Sequence, residues 1–214
     1  MAAIRPVPSA GPASPAKLAQ ERSRATRRKI VSAALRLWSE RGFDEGFETT
    51  TVDEIAERAE ISRASVYYYF PKKEDILREL AWTTSEEIYE KSLRAIMSGE
   101  RAPLVIDQIM AELGAMVARS PKSAVRRMLQ VRHWSFENLA RDAAAGGLTR
   151  AFSVVIVHAQ EAGEIPKTVS AIEVGEMLSS IAMGCISKWA IADDVDLPAM
   201  LRRRAAVILA GAFK

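Results

Sequence analysis

Between Thr51 and Pro71 the chain starts and stops two helices in quick succession, and no other feature constrains its fold as tightly. Thr51-Val52-Asp53-Glu54 has the form of a capping box, with the Thr51 hydroxyl accepting an N–H of the first turn and Glu54 reaching back to the Thr51 backbone. Val52, Ile55, Ala56 and Ala59 then share one helical face. A turn follows at Glu60-Ile61, and Ser62 is placed to cap a second short helix. Pro71 ends that helix near Tyr69, because proline disfavours helical geometry in the residue before it. Two helices this short need a third to complete a core. Ile30, Ala33, Ala34, Leu37 and Trp38 recur at spacings of three and four, which predicts that helix from about Arg24 to a left-handed cap at Gly42.

The second short helix reads Arg63-Ala64-Ser65-Val66-Tyr67-Tyr68-Tyr69. Val66 and Phe70, spaced i and i+4, supply its buried face together with Ile61 from the turn. Three consecutive tyrosines sweep about 200° of a helix, so they cannot all share that face. Arg63, Ser65, Tyr68 and Tyr69 are expected to face outward. This is the pattern of a helix-turn-helix, whose second helix enters a major groove about 12 Å wide. Arg63 sits near the helix N-terminus, where its fork can pair with O6 and N7 of guanine. Ser65 can bond a base or a phosphate, and tyrosines offer hydroxyls to phosphates and rings to thymine methyls. Lys72 and Lys73 follow where the next helix begins, at free N–H groups that favour phosphate.

Net charge alone argues little, since +3 is small for a chain of this length. Its placement is more informative. Residues 1–78 carry 14 Lys/Arg against 11 Asp/Glu, whereas residues 79–214 carry 16 of each. Lys17, Arg22, Arg24, Arg27, Arg28 and Lys29 face only Glu21 in the same stretch, as suits either an arm that meets phosphate or a solvated helix start. Residues 1–21, rich in Ala, Pro and Ser at their start, read as a disordered tail. The prolines at 6, 8, 12 and 15 interrupt any apolar leader, and Met177–Ser187, an uncharged run of the C-terminal half, is too short to cross a bilayer. A cytoplasmic chain without a membrane partner is therefore expected. Cys185 is the single cysteine, which excludes a disulfide framework and a cysteine zinc site.

Arg27 to Leu80 resembles the DNA-binding domain of the TetR (tetracycline-repressor-like) family of bacterial regulators. The resemblance is carried by Ile30-Val31-Ser32-Ala33-Ala34-Leu35, by Arg41-Gly42-Phe43, by Thr50 to Ala56, and above all by Ile61 to Leu77. It implies an all-α protein: residues 22–71 would be the helix-turn-helix domain, and 72–214 a helical effector-binding and dimerisation domain. It also implies that Thr51 touches a phosphate, that Arg63, Ala64 and Ser65 lie over bases, and that Tyr67 and Tyr68 meet phosphates and thymine methyls. Tyr69 stands where the family often has His, and Lys73 matches a phosphate-contacting lysine. Glu60 occupies a turn position that is usually Gly, which leaves the turn geometry to be determined. The partners implied are an operator in double-stranded DNA, a small-molecule effector and a second copy of the chain.

Beyond Lys72 the punctuation by Gly and Pro predicts helices at about 72–97, 104–118, 122–141, 148–162, 170–191 and 197–212. The last two carry more apolar residues than one buried face needs, interleaved with Gly175, Ser179, Ala182 and Gly184, which suits a bundle shared by two chains. Trp82, Tyr89, Met97, Met110, Met116, Trp134, Phe152 and Met177 fit the lining of an apolar effector cavity, and each fits plain core as well. His133 and His158 lack a supporting carboxylate cluster, so neither a metal nor another cofactor is expected. No nucleophile–base pair or phosphate-cradling glycine loop is present, so the sequence offers no basis for an enzyme. Two other readings compete: an architectural protein binding DNA without sequence preference, which sits poorly with a neutral body, and a small-molecule-binding protein or enzyme using the helical pocket, for which no catalytic constellation is present.

Overall fold

The computed structural model describes residues 15–133 and 147–212, and its regular elements there are ten α-helices. In chain order they are α1 (Pro15–Glu40), α2 (Phe43–Thr49), α3 (Val52–Arg58), α4 (Arg63–Tyr69), α5 (Lys73–Met97), α6 (Ala102–Ala118), α7 (Lys122–His133), α8 (Gly147–Glu161), α9 (Ala171–Ile191) and α10 (Leu197–Ala212). Helices α5 to α10 fall where Gly and Pro punctuation puts them. Residues 134–141, expected to prolong α7, lie outside the described residues, as does Trp134.

Two elements differ from the sequence reading. Residues 15–21 are helical rather than a tail, since α1 begins at Pro15. Proline is tolerated in a first helical turn, and the Ala, Lys, Leu, Gln and Glu that follow are strong helix formers. The second difference is α2, which sequence reading missed because Gly42 and Gly46 look like loop residues. Gly42, at φ 78°, is the left-handed break expected after α1, and it also starts α2. Gly46 is there for contact: a Cβ on it would lie 2.4 Å from the Trp38 carbonyl oxygen and 2.6 Å from the Trp38 Cα. That approach seats Phe43 and Phe47 on the Trp38 indole, with ring centroids 5.6 and 4.9 Å away.

Two apolar cores result. Helices α1 to α4 close around Ile30, Leu37, Trp38, Phe47, Ile55, Val66 and Phe70, with Ile76 and Leu77 from the start of α5. The remaining helices enclose Ile106, Met110, Phe152, Ile156, Leu178, Trp189 and Leu201. Helix α5 belongs to both, since Ile88 is buried in the second core. So does α7, with Ala124 against the first core and Val125 in the second. Arg127 of α7 donates to Glu48 of α2 at 2.5 Å and stacks 4.5 Å from the Phe47 ring centroid. On the same helix Arg126 donates to the Ala190 carbonyl at 2.9 Å, and Lys122 to that of Ala192. A single helix thus ties α2 to the C-terminal end of α9.

Candidate nucleic-acid interface

Helices α3 and α4 meet through caps that the sequence announces. The Thr51 N–H donates to the Glu54 carboxylate at 2.7 Å and the Glu54 N–H to the Thr51 hydroxyl at 3.2 Å, completing the capping box. Ser62 accepts the Ser65 N–H at 3.1 Å and opens α4. Between them Glu60 holds φ at 57°, the left-handed conformation that glycine adopts freely. The turn therefore keeps its geometry without the glycine, at a local strain of roughly 1–2 kcal/mol. The Ile61 N–H, donating to the Ala56 carbonyl at 3.0 Å, is one of the bonds that holds it there.

On α4, Val66 and Phe70 are buried as expected, and Arg63, Ala64, Tyr67 and Tyr68 form one exposed face. Tyr68 is the most open of these, 81% exposed, and Tyr67 is 43% exposed. Lys72, just before α5, is exposed as well. Ser65 is half-buried, its hydroxyl 2.8 Å from that of Ser62. Arg63 donates to Asp53 of α3 at 3.0 Å, with both side chains about three-fifths exposed, and lies 5.6 Å from the Tyr67 ring centroid. Asp53 is the ion-pair partner of Arg63 that sequence reading overlooked; acidic residues in the first turn of α3 were its signal.

Tyr69 and Lys73 depart from expectation. Tyr69 does not face outward: three residues after Val66 it shares the inner side of α4, half-buried against the first core with the Arg27 guanidinium 5.7 Å from its ring. The Lys73 ammonium is committed inward as well. It donates to the carbonyls of Phe47, Glu48 and Thr50 at 2.5, 3.1 and 3.1 Å and lies 5.1 Å from the Phe47 ring centroid. An ammonium has three donors, so Lys73 satisfies the carboxyl end of α2 rather than offering itself to a phosphate. Nothing in the sequence could signal this while α2 itself was missed.

Glu54 also carries a pH dependence. The Arg41 guanidinium beside it, then the Thr51 N–H, hold its carboxyl down at about 2 from an ordinary 4.5. A folded-state value below the unfolded one stabilises the fold fully above about pH 4.5, and that contribution is lost as pH falls through about 2. Thermal melts between these limits should therefore show a steeper acid loss for the wild type than for Glu54→Gln. Parallel curves would mean that the pair is dissipated by solvent.

The candidate effector residues are spread through the body rather than gathered. Met110 and Phe152 are fully buried in the second core, Met116 is half-buried, and Tyr89 lies beneath Arg150, 3.8 Å from its ring centroid. Trp82 is partly exposed, while Met97, in the last turn of α5, is 86% exposed. Met177 is 55% exposed and lines an open groove of about 550 Å³ with Glu173, Glu176, Ser180, Ile181 and Ile208. Helical phase explains the scatter, since Met97 and Met177 point away from the core that holds Met110 and Phe152. Among the described residues no group of three or more His, Cys, Asp or Glu side chains is placed to hold a metal, and no helix is long and apolar enough to cross a membrane.

Residues 30–80 match the family described as "Bacterial regulatory proteins, tetR family". The HTH-type transcriptional regulator HbdR of Aromatoleum sp. (strain CIB) is 44% identical over 61 residues, which is 28% of this chain and 23% of HbdR. The match thus spans about a quarter of that relative's length. Over the whole fold, the chain is similar to Thermus thermophilus FadR, a TetR family transcriptional repressor crystallised with lauroyl-CoA. That likeness has a TM-score of 0.69 at 23% identity and covers 86% of this chain and 94% of FadR. SmeT, the repressor of the Stenotrophomonas maltophilia multidrug efflux pump SmeDEF, superposes with a TM-score of 0.63 at 18% identity, over 90% of this chain and 92% of SmeT. At these identities the two structures speak for the fold.

Proposed function

We propose, from the match of residues 30–80 to the tetR family of bacterial regulatory proteins, that the chain is a sequence-specific transcriptional repressor, released from a near-palindromic operator by a small-molecule effector. The observation that carries this reading is the outer face of α4. Arg63, Ala64, Tyr67 and Tyr68 are held clear of both cores on a rigidly capped helix. Such a face fits a major groove, where Arg63 reads guanine and the tyrosines meet backbone and thymine methyls.

The chain acts as a homodimer through α9 and α10. Supporting this, Ile172, Met177 and Val207 leave large apolar side chains in water, and a Cβ placed on Gly184 or Gly211 would meet nothing within 4 Å. A two-fold axis there presents two copies of α4 to half-sites about one helical turn apart or somewhat more. The effector is an apolar small molecule bound within the helical body; proteins of the same fold bind lauroyl-CoA, in FadR, and triclosan, in SmeT. The ligand favours a dimer in which the α4 helices no longer match adjacent grooves. Two routes carry that change, α5 because it belongs to both cores and α7 because it joins α9 to Glu48 and Phe47 of α2.

Selection from random duplexes at near-physiological salt tests the reading. Enrichment of one inverted repeat is expected. Tight binding without an enriched sequence would instead identify an architectural protein with a steep salt dependence and no operator.

A further inference from the structure

The amino-terminal half of α1 belongs to neither core. From Leu18 to Lys29 no side chain of α1 is buried, and Ile30 is the first that is, so these residues project as a rod of roughly 20 Å. The stretch from Lys17 to Lys29 is lopsided in charge, with six basic residues against Glu21. Arg27 is accounted for: it pairs with Glu79 at 2.8 Å and lies 5.7 and 5.6 Å from the ring centroids of Tyr69 and Phe70. That contact sets Arg27 at the carboxyl end of α4, where the Tyr69 ring lies 5.1 Å from that of the exposed Tyr68. Arg22, Arg24, Arg28 and Lys29 are exposed, and none makes an ion pair among the described residues. Arg24 and Arg28 are one turn apart, and at 100° per residue they lie about 60° and 100° around the helix from Arg27, on the same side of it.

We propose that this segment is a helical arm lying along the phosphate backbone beside the site read by α4, with Arg24 and Arg28 as its phosphate contacts. The proposal rests on the DNA-binding reading above and deepens it. Dimensions select backbone over groove. A helix with its side chains is about 10–12 Å across and cannot enter a minor groove about 6 Å wide, and the adjoining major groove is taken by α4. The arm therefore adds affinity without sequence information. Its reach of roughly 20 Å corresponds to about six base pairs at 3.4 Å each. An acidic protein surface would meet the same charges, but continuity with the exposed face of α4 favours DNA.

The full chain and its R24A/R28A variant, compared on a pool of random-sequence duplexes and on the enriched inverted repeat across a salt series, test this. Each lost phosphate contact should flatten the plot of log affinity against log salt by about 0.9, so the variant should lose nearly 2 per protomer. The ratio of affinities for repeat and pool should not change. Both positions are exposed and alanine is a strong helix former, so circular dichroism should show α1 intact. An unchanged slope would overturn the arm and redirect attention to an acidic protein partner. A changed preference at particular bases would overturn it too, by showing readout instead of backbone contact. A wild-type chain that enriches no repeat would sink the repressor reading, while the slope on the random pool would still decide the arm.

Discussion

Alanine at position 46 is expected to destabilise the amino-terminal core of α1 to α4 by about 3 kcal/mol, at the upper end of what overpacking usually costs. The sign makes this a sharp test. In a solvent-exposed helix, Gly→Ala raises stability by about 1 kcal/mol, because alanine has the higher helix propensity. At position 46 the added methyl would sit 2.4 Å from the Trp38 carbonyl oxygen and 2.6 Å from its Cα, and both are backbone atoms that no rotamer change can move aside. Helix α2 would have to lift from α1, and the contacts of Phe43 and Phe47 with Trp38 would open together. Lys73, held by three carbonyls at the end of α2, and Arg127, held by Glu48 and Phe47, would lose their anchors as well. Thermal unfolding followed by circular dichroism measures the outcome. A stabilised Gly46→Ala protein would show that α2 is not seated on α1, and with it would fall the proposed α7 route from the body to helices α1 to α4.

What the sequence disclosed and what it withheld divide along a physical line. The caps at Thr51 and Ser62 and the buried faces of α1, α3 and α4 depend on residues within a turn of each other, so spacing alone exposes them. Tyr69 needed only one further step, counting from Val66, to be placed inside. Helix α2 was hidden because its cause is a contact between two helices: Gly46 reads as a breaker until Trp38 is known to lie against it. Lys73 inherits that concealment, since the carbonyls it satisfies belong to an unrecognised helix. In the body, methionine and aromatic residues were visible as a class, but helical phase sends Met97 and Met177 to the surface and Met110 and Phe152 to the core. Composition supplies the kind of lining and says nothing of which side chains meet.

The second large effect concerns base reading. Arg63→Ala is expected to weaken binding to the enriched inverted repeat by about 1–3 kcal/mol per half-site and to relax specificity at one base pair in each, with little change on random duplexes. In the free protein Arg63 is held by Asp53 at 3.0 Å. That pair is about three-fifths exposed on both sides, and exposed pairs contribute roughly 0–1 kcal/mol. A bidentate bond to guanine would be stronger, so on the proposed contact the guanidinium would exchange one partner for the other. On that reading Asp53 would hold the fork extended beside the groove before binding. Arg63→Lys separates the two possible contacts. Lysine keeps the charge but loses the planar fork, so a guanine contact predicts that much of the discrimination goes while the salt slope stays. If Arg63→Lys instead retains full discrimination and Arg63→Ala flattens the slope, the residue is a phosphate anchor, and reading of the operator passes to Tyr67 and Tyr68.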